Sequence, residues 1–384
     1  MTASPENAPR VAVDLRALVP TPTGISVYTR SLLTRLAERS IAQGTEDSRL
    51  RYLGLAHKPI RQPDDLHARG VPTEHEAAPL GVIWQQLLLP RRLGRGDVDL
   101  LWSPLITLPL RCPVPAVATV HDLTTVLMPE NHRWKVRWSI LPFLRPALEQ
   151  ARQLVTISQA TADDIAFHFP QAAAKVRVVY PGVDPELRPG APAEIAATRA
   201  ELGAPEGYLF YAGTLEPRKN VGAILDAWEG LRNAEPDRTP PLVLAGPYGW
   251  GSQHLVRRIE TLKPLGLVNL GHVERSRLVR LFQAARIFVY PSLYEGFGLP
   301  PAEAMACGIP AVVSNTSSLP EVVGDAGIQV PPQDSGALAT ALHDLLADPG
   351  RERELGARSV ERAARFNWDR AAREMEEVFF DALA

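Results

Sequence analysis

Twelve short runs rich in β-branched and other apolar residues, separated by stretches with helical spacing, limit what this chain can fold into. A run that is apolar throughout suits a strand buried on both faces. Such strands occur in parallel sheets, which need a crossover connection, usually helical, between neighbours. In the first half the runs are Val11–Leu15, Leu50–Leu55, Leu100–Trp102, Val117–Val120, Leu154–Ile157 and Val176–Val179. In the second half they are Tyr208–Tyr211, Leu242–Ala245, Val268–Leu270, Ile287–Tyr290, Ala311–Val313 and Ile328–Val330. Two sets of this size predict two α/β, Rossmann-like, doubly wound domains, and 384 residues suffice for both. The junction falls near Tyr180–Pro205, where YPGVDPELRPGAPAE concentrates proline and glycine. Past Asp348-Pro349, the stretches Arg351–Phe366 and Trp368–Asp381 read as closing helices.

Composition removes several function classes. A net charge of −2, with 45% hydrophobic and 22% charged residues, describes a globular protein with no global field for nucleic acid. MTASPENAPR lacks the apolar core of a signal peptide. The most apolar long stretch, Leu100 to Val120, is broken by prolines and Arg111 and reads as no membrane span. The two cysteines, Cys112 and Cys307, fall in different predicted domains and suggest neither a disulfide framework nor a metal site. These features together predict a cytoplasmic chain.

Residues 287–308, IFVYPSLYEGFGLPPAEAMACG, carry the strongest chemical signal. The strand Ile287–Tyr290 leads into the loop Glu295-Gly296-Phe297-Gly298. Pro300-Pro301 then opens a helix that carries Glu303 and stops at Gly308. A loop of approachable backbone before a helix start favours phosphate or other anionic oxygens. Carboxylates beside an anion site suit a ligand that also bears hydroxyls, as a sugar nucleotide does. The segment resembles the Glu-x7-Glu signature of the retaining family 4 glycosyltransferases. The strings PSLYEGFGLP and EAMACG match their mannosyltransferase-B-like branch.

That resemblance implies two facing Rossmann-like domains (the GT-B fold). Residues 1–180 would form the acceptor domain, 181–366 the nucleotide-sugar domain, and 367–384 a last helix crossing back onto the first domain. On the residues alone, a helix that simply ends the second domain reads equally well. The resemblance further implies a retaining, metal-independent hexosyltransferase without a cofactor. Its expected donor is GDP-mannose, although related enzymes use other GDP, UDP or dTDP sugars. The expected acceptor is a saccharide or a lipid-linked polysaccharide, met at the cytoplasmic face of a membrane. A nucleotide-sugar epimerase shares the twin-domain architecture and is the main alternative.

Site residues follow the motifs. In YAGTLEPRKNVGAILDAW, a strand leads through a loop to a helix beginning near Asn220, which places Arg218 and Lys219 at its N-terminus. Bare cations are disfavoured there unless an anion lies between them and the helix. By resemblance the pair grips the donor diphosphate, with Gly213 and Thr214 in the same loop also meeting the donor. Gly24 precedes a helix from about Ile25 to Leu36, where related enzymes often carry two glycines. Here it offers either donor contact or only a turn. His121 ends the strand Val117–Val120, at the edge where ligands bind in doubly wound sheets. By resemblance it lies near the transferred sugar; on the residues alone it could merely cap the strand. Glu303 is implied to bind the ribose hydroxyls, and Glu295 the donor sugar, beside the backbone of Phe297, Gly298 and Leu299. The lesser reading makes Glu295 a charge partner of the helix start. His272 and Val273, after Gly271, form the expected base-reading loop.

Four further features read as structural first. Asp97-Val98-Asp99 spells a metal-binding Asp-x-Asp but sits in a turn into a strand. Ser158 and Thr161 suit a helix cap, and Glu321 suits a helix start. Residues 132–145, HRWKVRWSILPFLR, are amphipathic and basic; they either cover the domain core or touch anionic lipid or the acceptor.

Overall fold

The computed structural model describes residues 8–19, 23–42, 50–131 and 134–384. The chain divides into two compact units, Met1–Gly182 with Asn367–Ala384, and Val183–Phe366.

The first unit is built on seven parallel strands: β1 (Arg10–Asp14), β2 (Arg51–Ala56), β3 (Thr73–His75), β4 (Leu100–Ser103), β5 (Ala116–Val120), β6 (Gln153–Thr156) and β7 (Val176–Val178). They lie in the order β3-β2-β1-β4-β5-β6-β7, with Val11 opposite both Tyr52 and Leu100. The central strands β4 and β5 are buried at every residue, which is why they are apolar except for Ser103 and Thr119. β3 is the strand that apolar pattern misses. It is an edge strand of Thr, Glu and His whose last two residues are exposed. Val11–Leu15 is also one residue too long, because Leu15 already belongs to a 3-10 turn capped by the Asp14 carboxylate.

The last helix, Trp368–Leu383, is part of this first unit. Asn367 caps it by accepting from the N–H groups of Asp369 and Arg370. Trp368, Ala371, Ala372, Met375, Val378, Phe379 and Ala382 recur at helical spacing and are all buried. The Phe379 ring meets Trp102 at 5.7 Å and Tyr52 at 6.5 Å, and Glu376 pairs with Arg39 at 2.8 Å.

The second unit has six parallel strands: β8 (Leu209–Ala212), β9 (Leu242–Ala245), β10 (Leu267–Asn269), β11 (Ile287–Tyr290), β12 (Ala311–Ser314) and β13 (Ile328–Val330). Their order is β10-β9-β8-β11-β12-β13. The proline-rich junction stretch contains a helix, Pro192–Glu201. Pro192 occupies its first position, where a missing N–H costs nothing.

Each sheet reverses its winding once, between β1 and β4 in the first unit and between β8 and β11 in the second. At such a point the loops leaving the two strands turn to opposite faces of the sheet. The crevice between them is where doubly wound sheets take ligands.

Candidate functional site

The crevice of the second unit gathers the charged residues. β8 runs into Gly213 and Thr214, then a 3-10 turn Pro217–Lys219, then Asn220 in the left-handed region, and only then the helix Val221–Ala234. Arg218 and Lys219 therefore sit in a separate turn just before the helix, whose start at Val221 falls one residue after the Asn220 that the sequence pattern suggests. The Asn220 amide fixes the bend by donating to the carbonyls of Pro291 and Pro332. Leu293 N–H donates to the Arg218 carbonyl at 2.9 Å, which joins the loops after β8 and β11.

Glu295 from the β11 loop is the centre of this cluster. Lys219 Nζ donates to its Oε1 at 2.7 Å and Oε2 at 2.9 Å, and to Tyr290 Oη at 2.8 Å. Arg218 Nη1 reaches Glu295 Oε2 at 3.3 Å and the Tyr294 carbonyl at 2.7 Å, while Nη2 donates to Glu216 at 2.9 Å. Ser292 Oγ donates to Glu295 Oε1 at 2.6 Å. The Glu295 side chain is 9% exposed. Burial alone would raise its carboxyl, but Lys219, Arg218 and the Ser292 hydroxyl bring it down to about 2. Burial lowers the Lys219 ammonium, with Glu295 opposing. In this state Glu295 is thus the counterion of the two cations, which sequence pattern alone cannot distinguish from a sugar contact.

The helix Leu299–Ala306 begins beside this cluster. Gly298, its N-cap, has φ +101°, and a Cβ there would lie 2.7 Å from Leu319. The left-handed backbone favours glycine, and a side chain there would also displace the end of Leu319. Ser318 Oγ lies 3.0 and 2.7 Å from the carbonyls of Glu295 and Phe297, which share its one proton, and it holds the loop shape. Phe297 is buried with its ring against Phe366. On the other side, Gly213 lies against Tyr211 and Tyr290, which stack at 5.7 Å, and Tyr211 Oη donates to the Thr214 carbonyl. Glu303 is not in the Lys219 cluster. It pairs with Arg275 at 2.8 Å, and Arg275 also reaches Asp184 at 3.4 Å. His272 is exposed and Val273 half-buried in the loop after β10.

The first unit's crevice is built differently. His121 follows β5, and its Nε2 lies 2.8 Å from the Pro104 carbonyl. A carbonyl only accepts, so Nε2 carries the proton and Nδ1 is left as an acceptor. Burial lowers the imidazole, with Pro104 and Asp122 opposing, which favours the neutral ring. Gly24 opens the helix Gly24–Ala42, and the space a Cβ would need there is open. Thr23 and Ser26 cap that helix reciprocally. Tyr28 of the same helix sets its ring edge on His121 at 4.9 Å. Asp14, fully buried at the end of β1, grips Arg16 at 2.7 Å.

The remaining candidates are held structurally. Asp97 pairs with Arg92 and Arg10, and Asp99 accepts from the Arg10 N–H. Ser158 caps the helix Gln159–His168 by accepting from Thr161 N–H, and Glu321 lies in the first turn of Leu319–Val323. In the stretch 132–145, residues 132 and 133 and the side chains of Trp134 and Arg137 lie outside the described residues, while Trp138 is 72% exposed. Among the described residues, no cluster suited to a metal occurs and no helix is long and apolar enough to cross a membrane.

Sequence pattern missed Tyr290, Ser292, Ser318, Asn220 and Arg275. The strand–loop–helix segments predicted their neighbourhoods, but none of their long-range partners.

This architecture recurs in known enzymes. Over 97% of this chain and 99% of that one, the structure matches the HepE protein of Anabaena in complex with UDP-glucose, with a TM-score of 0.73 at 19% identity. Sucrose-phosphate synthase of Thermosynechococcus elongatus matches over 97% and 98%, with a TM-score of 0.75 at 22% identity. The fold is therefore of the GT-B class. Residues 22–187 match the model of Glycosyltransferase Family 4, and residues 195–364 that of Glycosyl transferases group 1. The O-antigen chain mannosyltransferase B of Escherichia coli is 34% identical over 361 residues, covering 90% of this chain and 93% of that protein. A D-inositol 3-phosphate glycosyltransferase of Streptomyces bingchenggensis is 33% identical over 61% of this chain and 53% of its own length. The chain belongs to the family 4 glycosyltransferases, in the branch of mannosyltransferase B, and is a glycosyltransferase.

Proposed function

We propose that the protein transfers mannose from GDP-mannose, with retention and without a metal ion, onto a saccharide or lipid-linked polysaccharide. The observation that carries this reading is the convergence of Arg218, Lys219 and a helix start on the β8–β11 crevice. The likeness to mannosyltransferase B supports the choice of mannose.

The donor diphosphate would lie along Arg218, Lys219 and the backbone at Phe297, Gly298 and Leu299, with Gly213 and Thr214 beside it. Both cations are already matched by carboxylates, Glu295 and Glu216. Their hold on a diphosphate therefore comes from redirecting existing donors, together with the partial positive charge of the helix end. Glu303 would take the ribose hydroxyls, and His272 and Val273 would border the base. Glu295, moved from Lys219 by the diphosphate, would turn to the sugar.

In the reaction, an acceptor hydroxyl oxygen bonds to the anomeric carbon on the face that the diphosphate leaves. The bond from that carbon to the phosphate oxygen breaks, and the acceptor proton passes to a departing phosphate oxygen. Charge grows on the diphosphate, where each preorganised donor contributes about 3 to 4 kcal/mol. His121 would hold a sugar hydroxyl through Nδ1, and Gly24 would leave room for the approaching ligand. Nucleic acid is no partner in this reading. Residues 132–145, with Trp138 exposed, would touch the membrane face that carries the acceptor.

The test is NMR of GDP-mannose turnover with and without a mannose-terminated oligosaccharide. Formation of an α-linked product only when the acceptor is present is the expected result. Acceptor-free conversion of the nucleotide sugar would favour an epimerase, and a β-linked product would overturn retention.

A further inference from the structure

Glu303 projects from the helix Leu299–Ala306 with a largely buried side chain. Its two oxygens are not equivalent. Oε1 accepts from Arg275 Nη1 at 2.8 Å, whereas no hydrogen bond to Oε2 is present among the described residues. Arg275 is the first residue of the helix Arg275–Ala284, directly after the loop that contains His272 and Val273. A cation is disfavoured at a helix N-terminus, so its placement needs a compensating anion. It has two, Glu303 on one arm and Asp184 at 3.4 Å on the other.

We propose that Arg275 is a positioning residue for the nucleotide: it holds Glu303 Oε1 and so presents Oε2 as the acceptor for the ribose hydroxyls. The proposal rests on the reading of Glu303 as the ribose ligand. It also assigns the helix start at 275 two tasks, bordering the base with the loop before it and orienting the ribose contact with its first side chain.

Electrostatics supplies a second reason for the arginine. Burial raises the Glu303 carboxyl, Asp184 adds to the rise, and Arg275 opposes both. Cys307, the other titratable group beside it, is a neutral thiol pushed up to about 12 by burial and by Glu303. Without Arg275, Glu303 loses its only nearby cation among the described residues and takes up a proton at a higher pH. A protonated carboxyl is a weaker acceptor than a carboxylate.

The experiment is titration of GDP and of 2′,3′-dideoxy-GDP into the wild type, Glu303→Gln, Arg275→Gln and Arg275→Lys, between pH 6 and 8. The wild type is expected to prefer the ribose form at least tenfold across this range. Glu303→Gln loses the preference at every pH. Arg275→Gln loses it most at pH 6 and regains part of it at pH 8, Arg275→Lys restores most of it, and affinity for the dideoxy form stays within about twofold in all of them. If Glu303→Gln keeps the preference, the ribose assignment itself falls and this inference with it. If Glu303→Gln loses the preference but Arg275→Gln keeps it at pH 6, the ribose assignment stands and the positioning role is overturned. A loss in Arg275→Gln that affects both nucleotides equally also overturns it, because that is the mark of a merely structural residue.

Discussion

The two crevices arise from the same winding rule but hold opposite chemistry. After β8 and β11, the second unit places two cations, two carboxylates and a helix start within one hydrogen-bonded cluster. After β5, the first unit places a histidine kept neutral, a tyrosine ring edge and an open glycine. The first unit's own ion pair, Asp14 with Arg16, is closed on itself at the end of β1. In the proposed reading, doubly wound topology sets where a ligand sits and the loop residues set which charge it carries. A diphosphate suits the second crevice and a neutral sugar hydroxyl the first.

The comparison can be broken most severely by attacking the first unit's core. Phe379→Ala removes a fully buried ring that packs on Trp102 and Tyr52, at a cost of about 3 to 5 kcal/mol. Calorimetry should show the first unit melting earlier while GDP affinity persists at temperatures where the second unit is intact. Equal loss of both would mean that the units do not unfold separately.

Next in size is Lys219→Ala, which should lower turnover about 100- to 1000-fold, equivalent to roughly 3 to 4 kcal/mol of transition-state stabilisation. Steady-state kinetics on a variant with native circular dichroism checks this. Near-normal turnover would remove Lys219 from the diphosphate site.

Glu295→Gln sharpens the electrostatic side. Because the folded carboxyl lies near 2, below its unfolded value, its ionised form stabilises the fold above the usual carboxylate range, and this is lost as pH falls towards 2. The contribution at neutral pH is of order 3 kcal/mol. Unfolding curves between pH 7 and 3 should show a smaller acid loss in Glu295→Gln than in the wild type.

Ser318→Ala is the mildest change. Losing the hydroxyl proton shared by the two loop carbonyls should cost about 1 to 2 kcal/mol and weaken nucleotide binding more than it affects melting of the first unit.

Legibility in the sequence followed sharp boundaries. Leu242–Ala245, Ile287–Tyr290 and Ile328–Val330 have the same bounds in the pattern and in the structure, because proline, glycine or arginine flanks each of them. Thr73–His75 has no such signal, since an edge strand need not be apolar. The site was legible as motifs and not as partnerships. Arg218 and Lys219 stood out as cations before a helix. That Glu295, 76 residues from Lys219, neutralises both could be learned only by bringing β8 beside β11. Arg275 is likewise a cation at a helix start, but its partner Glu303 lies 28 residues away and is visible only in the fold.

The most direct test of the central claim is calorimetric titration of GDP, UDP and dTDP into the wild type and Lys219→Ala, with and without magnesium. The account predicts metal-independent binding, strongest for GDP, that Lys219→Ala weakens at least tenfold. Binding that requires magnesium, or that is unchanged in Lys219→Ala, would contradict it.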